Sequence, residues 1–199
     1  ALLRIAAAYR KSLARTKVIA VCGSNGKTTT TRLIEQILSR SMRGTASIKS
    51  FNNAIGVPLT ILSAKENDQY LLCEVGTNAP GEIAELGAVV QPDIAVITSI
   101  DRDHLDTYRD LDEIQDAFGA FASRVPFFGQ VIACADDPNV RDLLPRLAEG
   151  PAILVGCSIG GAAALELAAR RPDLVRALVL CDAGRLGATT AVRRFAAGL

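Results

Sequence analysis

Short apolar runs alternate with amphipathic stretches along the whole chain, and this alternation predicts the secondary structure. The apolar runs are rich in β-branched residues, as buried strands are, whereas the intervening stretches repeat apolar positions at helical spacing. An alternation of strands and helices favours an α/β three-layer fold with a mainly parallel sheet covered by helices on both faces. The predicted strands are 18–22, 45–50, 70–75, 93–100, 130–135, 152–156 and 177–181, and the predicted helices are 2–14, 27–39, one entered near 58, 82–90, 111–123, 138–148 and 160–171.

Polar clusters follow several of these strands, and the first is a glycine turn that delivers backbone N–H groups to a helix N-terminus. Such a turn binds phosphate. Gly23 and Gly26 allow conformations that a Cβ would forbid, Lys27 supplies a positive charge, and Thr28 offers a hydroxyl for Mg²⁺. Because Val21 stands five residues before Gly26, the general G-x-x-x-x-G-K-[ST] pattern is not satisfied. The alternatives are therefore a shorter phosphate loop, or P-loop, and a glycine turn that caps an ordinary helix.

Two further candidates follow later strands. Glu74 ends a predicted strand and is placed to reach a Mg²⁺ at the phosphate loop, or else is a salt-bridged structural glutamate. His104, the only histidine, lies beside Asp101, Asp103 and Asp106, where it would ligate a second metal, orient a substrate, or serve the fold alone.

Composition narrows the function classes. The chain has 199 residues, of which 49% are hydrophobic, and its net charge is +1, which disfavours disorder and a nucleic-acid partner. The five cysteines lie in or beside apolar runs without a C-x-x-C pair, which is typical of buried reduced thiols in a cytoplasmic protein. No apolar run approaches the roughly 18 residues of a membrane span, and no secretory leader is evident. The first residue is Ala, which suggests processing or excision from something longer.

Five motifs carry a family resemblance. VCGSNGKTTTTRLI, KSFNNAIGVPLTIL, LLCEVGTNAPGEIAEL, PDIAVITSI and DHLD together resemble the central ATP-binding domain of the Mur ligases. Up to about residue 100 the chain is most similar to the UDP-N-acetylmuramoyl-tripeptide:D-alanyl-D-alanine ligase branch. From 101 to about 148 it is more similar to the UDP-N-acetylmuramate:L-alanine ligase branch.

The resemblance implies ATP-driven amide-bond formation in peptidoglycan precursor synthesis: a carboxylate attacks the γ-phosphate, and an amine displaces phosphate from the acyl phosphate. The implied cofactors are ATP and Mg²⁺, and the implied partners are a UDP-muramoyl precursor and an amino acid or dipeptide. Lys27, Glu74 and His104 would serve catalysis. The residues implied to bind the phosphates are Gly23, Ser24, Asn25, Gly26, Lys27, Thr28 and Thr29. Asp136 and Asp137 would lie near the nucleotide base, and Asn52, Asn53 and Asn78 near the substrate. The implied metal ligands are Thr28, Glu74 and His104.

The chain departs from the family pattern in two ways. Several members use a carbamylated lysine, but residues 107–128 contain no lysine, so that device is absent or not needed here, as in the muramate:L-alanine branch. The family's N-terminal UDP-sugar domain and C-terminal closing domain are not visible, so we expect nucleotide binding more than ligation. A catalytically silent nucleotide-binding scaffold is one alternative.

The last fifty residues differ in character. Residues 156–161, GCSIGG, satisfy G-x-S-x-G, and this with the following RRPDLVRALVLCDAG resembles α/β-hydrolases, so Ser158 is an alternative nucleophile for a serine esterase. No histidine follows Ser158, although that family's triad order requires one. The other interpretation is a strand, helix and strand segment, 151–199, that extends the sheet of domain 1–150. The change of character suggests a chimeric, recombined or designed chain.

Overall fold

The computed structural model describes residues 1–76, 79–101, 108–147, 152–157 and 159–181. The chain divides into two compact units, Ala1–Leu147 and Ala148–Leu199. The helices of the first unit are α1 (Leu2–Ser12), α2 (Lys27–Leu38), α3 (Gly56–Ser63), α4 (Glu82–Val90), α5 (Leu111–Ala122) and α6 (Pro138–Leu147). Its strands are β1 (Lys17–Cys22), β2 (Gly44–Ala46), β3 (Tyr70–Glu74), β4 (Ile94–Ile97) and β5 (Gln130–Ala133).

The five strands of the first unit form one parallel sheet in the order β2-β3-β1-β4-β5. The predicted mainly parallel sheet is confirmed. β1 is its central strand, and all of its residues after Lys17 are buried, as expected for a strand covered on both faces. Because the strands are parallel, the loops that follow them all lie at one edge of the sheet, where ligands bind in folds of this kind.

Helices cover both faces of this sheet, as predicted. One face packs against α1, α3, α4, α5 and α6 in a large apolar cluster that includes the fully buried Phe118 and Phe121. The other face packs against α2 in a smaller cluster that includes Val21, Leu72 and the partly buried Ile34. Alternate residues of β1 contribute to the two clusters, since successive side chains of a strand point to opposite faces.

Two strands end three or more residues before their predicted ends, and in both cases side-chain hydrogen bonds take over where the strand stops. The predicted strand 45–50 stops at Ala46, because the hydroxyl of Ser47 bonds the Glu74 N–H and the chain then turns through Lys49 at a φ of 53°. The predicted strand 93–100 stops at Ile97, because the residues that follow it bond the glycine turn after β1.

The described part of the second unit, 152–157 and 159–181, is a strand, helix and strand motif. β6 (Ala152–Cys157) and β7 (Val175–Cys181) pair directly, in parallel. α7 (Ile159–Arg170) and a short 3-10 helix, Pro172–Leu174, connect them along the chain. β6 and β7 form a two-stranded parallel sheet, and the expectation that segment 151–199 extends the sheet of domain 1–150 stays a prediction. Two parallel strands can pair only when a crossover connection returns the chain to the same end of the sheet, and α7 provides that connection here.

Within the described ranges, no helix combines the length and the apolar character that crossing a membrane requires.

Candidate nucleotide and metal site

The glycine turn between β1 and α2 adopts a backbone that requires glycine. Gly23 has a φ of 139°, and a Cβ there would collide with Oγ1 of Thr98. Gly26 has a left-handed φ of 82° and is the residue from which α2 begins. A β-carbon would strain both positions. The two glycines therefore determine the path by which the turn enters the helix.

The end of β4 holds this turn in place. Ser24 N–H donates to the Ser99 carbonyl at 2.9 Å, and Asn25 N–H donates to the Ser99 hydroxyl at 3.0 Å. The Thr98 hydroxyl donates to the Asn25 carbonyl at 2.5 Å, and Asp101 N–H donates to the Ser24 hydroxyl at 2.8 Å. Thr98 and Ser99 are not among the site residues that the sequence predicts, because both lie inside the predicted strand 93–100; their polarity after an apolar run is the available signal.

Lys27, the first residue of α2, folds back over the turn. Its ammonium donates to the carbonyl oxygens of Gly23 at 2.7 Å and Ser24 at 2.8 Å. The side chain is half-buried, so its positive charge lies at the turn. An ammonium has three N–H donors and can exchange partners readily. The arrangement places a cation beside backbone N–H groups at a helix N-terminus, which suits a phosphate.

Glu74, the last residue of β3, is the central carboxylate of the site and is fully buried at 0% exposed. Its oxygens accept from the Thr28 hydroxyl at 2.9 and 3.1 Å and from the Asn52 amide at 2.9 Å. Gly76 N–H donates to the Asn52 carbonyl at 2.7 Å, which holds that loop against the strand end.

The surroundings of Glu74 fit a divalent cation. Among the described residues, the two side chains that bond the carboxylate are neutral and no ion pair involves Glu74, so nothing there supports the salt-bridged alternative. A buried carboxylate without a positive partner is costly. Carboxylate and hydroxyl oxygens are ligands that Mg²⁺ accepts. Thr28 and Glu74 are therefore brought together as the sequence predicted.

The two neighbouring asparagines have different environments. Asn52 reaches Glu74, whereas the Asn53 side chain accepts from the N–H groups of Ile55 at 3.1 Å and Gly56 at 2.9 Å. Asn53 thus caps the start of α3. The sequence shows two adjacent asparagines and no signal that separates these contacts.

Two acidic residues follow β5. Asp136 is exposed, and Asp137 accepts from Val140 N–H at 2.8 Å, which caps the start of α6. Asn139 ties the same helix to the end of β4 by donating to the Ile100 carbonyl at 2.6 Å. Thr29 is exposed in the first turn of α2. A role of these residues toward a nucleotide stays a prediction.

Comparison with known proteins identifies the family. Residues 21–176 match the Mur ligase middle domain. The chain belongs to the Mur ligase family. Its match continues through residues 151–176, where the sequence resembles α/β-hydrolases, so the comparisons give no support to a hydrolase segment or to a chimera.

Curated relatives come from the two branches that the sequence resembles. The UDP-N-acetylmuramate--L-alanine ligase of Syntrophotalea carbinolica is 40% identical over 130 residues, which cover 65% of this chain and 26% of the relative. The UDP-N-acetylmuramoyl-tripeptide--D-alanyl-D-alanine ligase of Bacillus subtilis is 38% identical over 142 residues, which cover 71% of this chain and 31% of the relative. The chain thus spans between a quarter and a third of these two Mur ligases.

Solved Mur ligases share the fold. A crystal structure of MurF from Acinetobacter baumannii superposes with a TM-score of 0.69 at 32% identity, covering 73% of this chain and 32% of that one. MurF from Thermotoga maritima in complex with ADP gives a TM-score of 0.65 at 26% identity, covering 73% of this chain and 35% of that one.

Three predicted site residues of this Mur ligase domain, His104, Asn78 and Ser158, lie outside the described residues. Asp103 and Asp106 lie outside them as well, whereas the Asp101 N–H donates to the Ser24 hydroxyl. The second-metal, substrate and alternative-nucleophile roles stay predictions.

The thiols near the site are of two kinds. Cys22 and Cys73 are buried, and burial raises the pKa of the Cys22 thiol and raises that of Cys73 to about 12. Cys134 is exposed, so the expectation that the cysteines are buried is wrong for this residue; it follows β5, an edge strand with exposed residues. Burial and the raised pKa both favour the protonated, unreactive form of these two thiols.

Proposed function

We propose that this Mur ligase middle domain binds ATP together with Mg²⁺ at the turn after β1. The observation that carries the proposal is the fully buried Glu74 carboxylate, which accepts from the Thr28 hydroxyl at 2.9 Å beside a glycine turn that holds Lys27. The N–H donors and Lys27 would bind an anion, and the oxygens of Glu74 and Thr28 would bind a cation. The ADP complex of the Thermotoga maritima MurF structure supports the nucleotide.

Each residue would have a distinct task. Lys27 would exchange its carbonyl partners for phosphate oxygens, and the N–H groups at the start of α2 would donate to the same phosphates. Thr28 and Glu74 would hold the metal, and Asn52 would keep the Glu74 carboxylate oriented by the 2.9 Å bond. A bound Mg²⁺ supplies charge neutralisation of the phosphates.

The reaction that we propose for the whole ligase is amide-bond formation in peptidoglycan precursor synthesis. A substrate carboxylate would take up the γ-phosphoryl group of ATP, with ADP as the leaving group, and the amine of an amino acid or dipeptide would then displace phosphate from the acyl phosphate. The names of the relatives support a UDP-muramoyl substrate. In phosphoryl transfer of this kind the protein contributes positioning and electrostatic stabilisation. The residues of this chain contribute the nucleotide side of that chemistry.

The test is a calorimetric titration of the 199-residue chain with ATP, in MgCl₂ and in EDTA. We expect ATP binding that is markedly tighter in MgCl₂, because the buried carboxylate is then neutralised. Equal affinity in the two buffers would contradict a metal role for Glu74, and absence of ATP binding in both would contradict the nucleotide site itself.

A further inference from the structure

A buried hydroxyl lies behind Glu74, on the side away from the glycine turn. Ser47 follows β2 and is 0% exposed. Its own N–H continues the parallel ladder by donating to the Leu72 carbonyl at 2.9 Å. In a regular parallel ladder the carbonyl of the same residue would then accept the Glu74 N–H. Here the Ser47 hydroxyl accepts that N–H instead, at 2.9 Å.

The proton of this hydroxyl has a defined direction. Ser47 Oγ lies 3.3 Å from Oγ1 of the buried Thr60, and the Thr60 hydroxyl donates to the Gly56 carbonyl at 2.9 Å. Since Thr60 has one proton and gives it to Gly56, Ser47 is the donor in the pair of hydroxyls. The resulting chain runs from Glu74 N–H through Ser47 and Thr60 to the first residue of α3.

This row of hydrogen bonds connects the Glu74 backbone to α3. Asn52, in the loop before α3, bonds the Glu74 carboxylate. The last peptide of β3 and the carboxylate are therefore both fixed by the segment between β2 and α3. A buried N–H that loses its acceptor is costly, and the strand end would shift to find another one. A shift of the Glu74 backbone moves the carboxylate away from Thr28.

We infer that Ser47 is a positioning residue for the metal-binding carboxylate of Glu74. It acts through the Glu74 peptide and does not itself touch metal or nucleotide. The inference rests on the proposed Mg²⁺ role of Glu74 and adds the residue that determines where that carboxylate stands.

The test compares Mg²⁺ dependence in the full chain carrying Ser47→Ala, Ser47→Thr, Thr60→Val or, as a control, Ser63→Ala. Ser63 is an exposed serine of α3 whose hydroxyl bonds the Leu59 carbonyl, so its replacement removes a hydroxyl away from Glu74. Two quantities are measured by calorimetry for each variant: the MgCl₂ concentration that half-saturates ADP binding, and the Kd for ADP in EDTA.

For Ser47→Ala we expect the half-saturating MgCl₂ concentration to rise about tenfold, since loss of a group that orients a metal ligand typically weakens metal affinity tenfold or more. The Kd for ADP in EDTA stays within about twofold, because the phosphate contacts are retained. Ser47→Thr, which keeps the hydroxyl, restores the wild-type metal dependence, and Thr60→Val gives a smaller rise. If Ser47 were purely structural, Ser47→Ala would lower the free energy of unfolding and leave the metal dependence of the folded protein unchanged.

A folded Ser47→Ala protein whose MgCl₂ curve overlays that of the wild type overturns this inference alone. If Ser47→Ala does not fold, Thr60→Val decides, and an unchanged curve for that isosteric variant overturns it. A wild-type chain whose ADP binding does not respond to MgCl₂ overturns the proposed function, and the positioning role with it.

Discussion

Glu74→Gln separates the charge of the buried carboxylate from its shape. From the described residues the wild-type oxygens accept two contacts from the Thr28 hydroxyl, at 2.9 and 3.1 Å, and one from the Asn52 amide at 2.9 Å. A glutamine can keep its oxygen toward Asn52 and donate its amide to Thr28, whose hydroxyl can reverse direction. The hydrogen-bond pattern therefore survives, and the negative charge does not.

The expected magnitudes follow from that exchange. Replacing hydrogen bonds to a charged group by neutral ones costs about 1–2 kcal/mol. Relief from burying an uncompensated carboxylate acts in the opposite direction, so we expect the free energy of unfolding to change by less than about 1 kcal/mol. Two unit charges 4 Å apart attract by about 4 kcal/mol at an effective dielectric constant of 20. If the loss of the Glu74 charge removes about half of that attraction for the metal, metal binding weakens about thirtyfold.

The assay is a MgCl₂ titration of ADP binding, with urea unfolding as the check on the fold. The control is Glu66→Gln, because Glu66 is exposed in the turn that precedes β3, at the opposite end of the strand from Glu74. We expect the control to behave as the wild type and Glu74→Gln to need about thirtyfold more MgCl₂. Overlaid titration curves for Glu74→Gln and the wild type would refute the reasoning and make Glu74 a structural residue.

Two further predictions concern the backbone and the thiols. Gly23→Ala should lower the free energy of unfolding by about 1–3 kcal/mol, because the φ of 139° and the contact with Thr98 both oppose a Cβ; urea unfolding measures this, and a variant as stable as the wild type would contradict the geometry of the turn. An aromatic disulfide reagent at pH 8 should label Cys134 in the native protein, and Cys22 and Cys73 only after unfolding, because burial raises the pKa of both thiols. Peptide mapping by mass spectrometry shows which thiols react, and rapid native labelling of Cys73 would contradict its burial.

The sequence predicts the core of the fold because each apolar run is short and ends in polar residues. β1, α2, β3 and α4 lie within one residue of their predicted bounds. The chemistry of residues that follow strands singles out the glycine turn, Thr28 and Glu74, and the structure brings Thr28 and Glu74 into contact at 2.9 Å; their role toward phosphate and metal stays a prediction.

The contacts between loops could not be predicted in the same way. Ser47 lay inside a predicted strand, where a serine carries no signal that its hydroxyl will replace a ladder carbonyl. Thr98 and Ser99 were hidden for the same reason, and their partners lie more than 70 residues away in the chain. Asn52 and Asn53 are chemically identical in the sequence, and only the fold separates the one that reaches Glu74 from the one that caps α3. Such partners are determined by strand order, which periodicity does not specify.

The most direct measurement of the nucleotide site is the ATP affinity of Lys27→Ala beside Lys65→Ala in MgCl₂. Both variants lose one lysine charge, but Lys27 lies on the glycine turn, whereas Lys65 is exposed beyond the end of α3. Loss of a hydrogen bond to a charged group costs about 1.5–3 kcal/mol, so we expect Lys27→Ala to bind ATP about tenfold to 150-fold more weakly. Lys65→Ala should bind as the wild type does. Equal ATP affinity in the two variants would contradict a phosphate site at this turn.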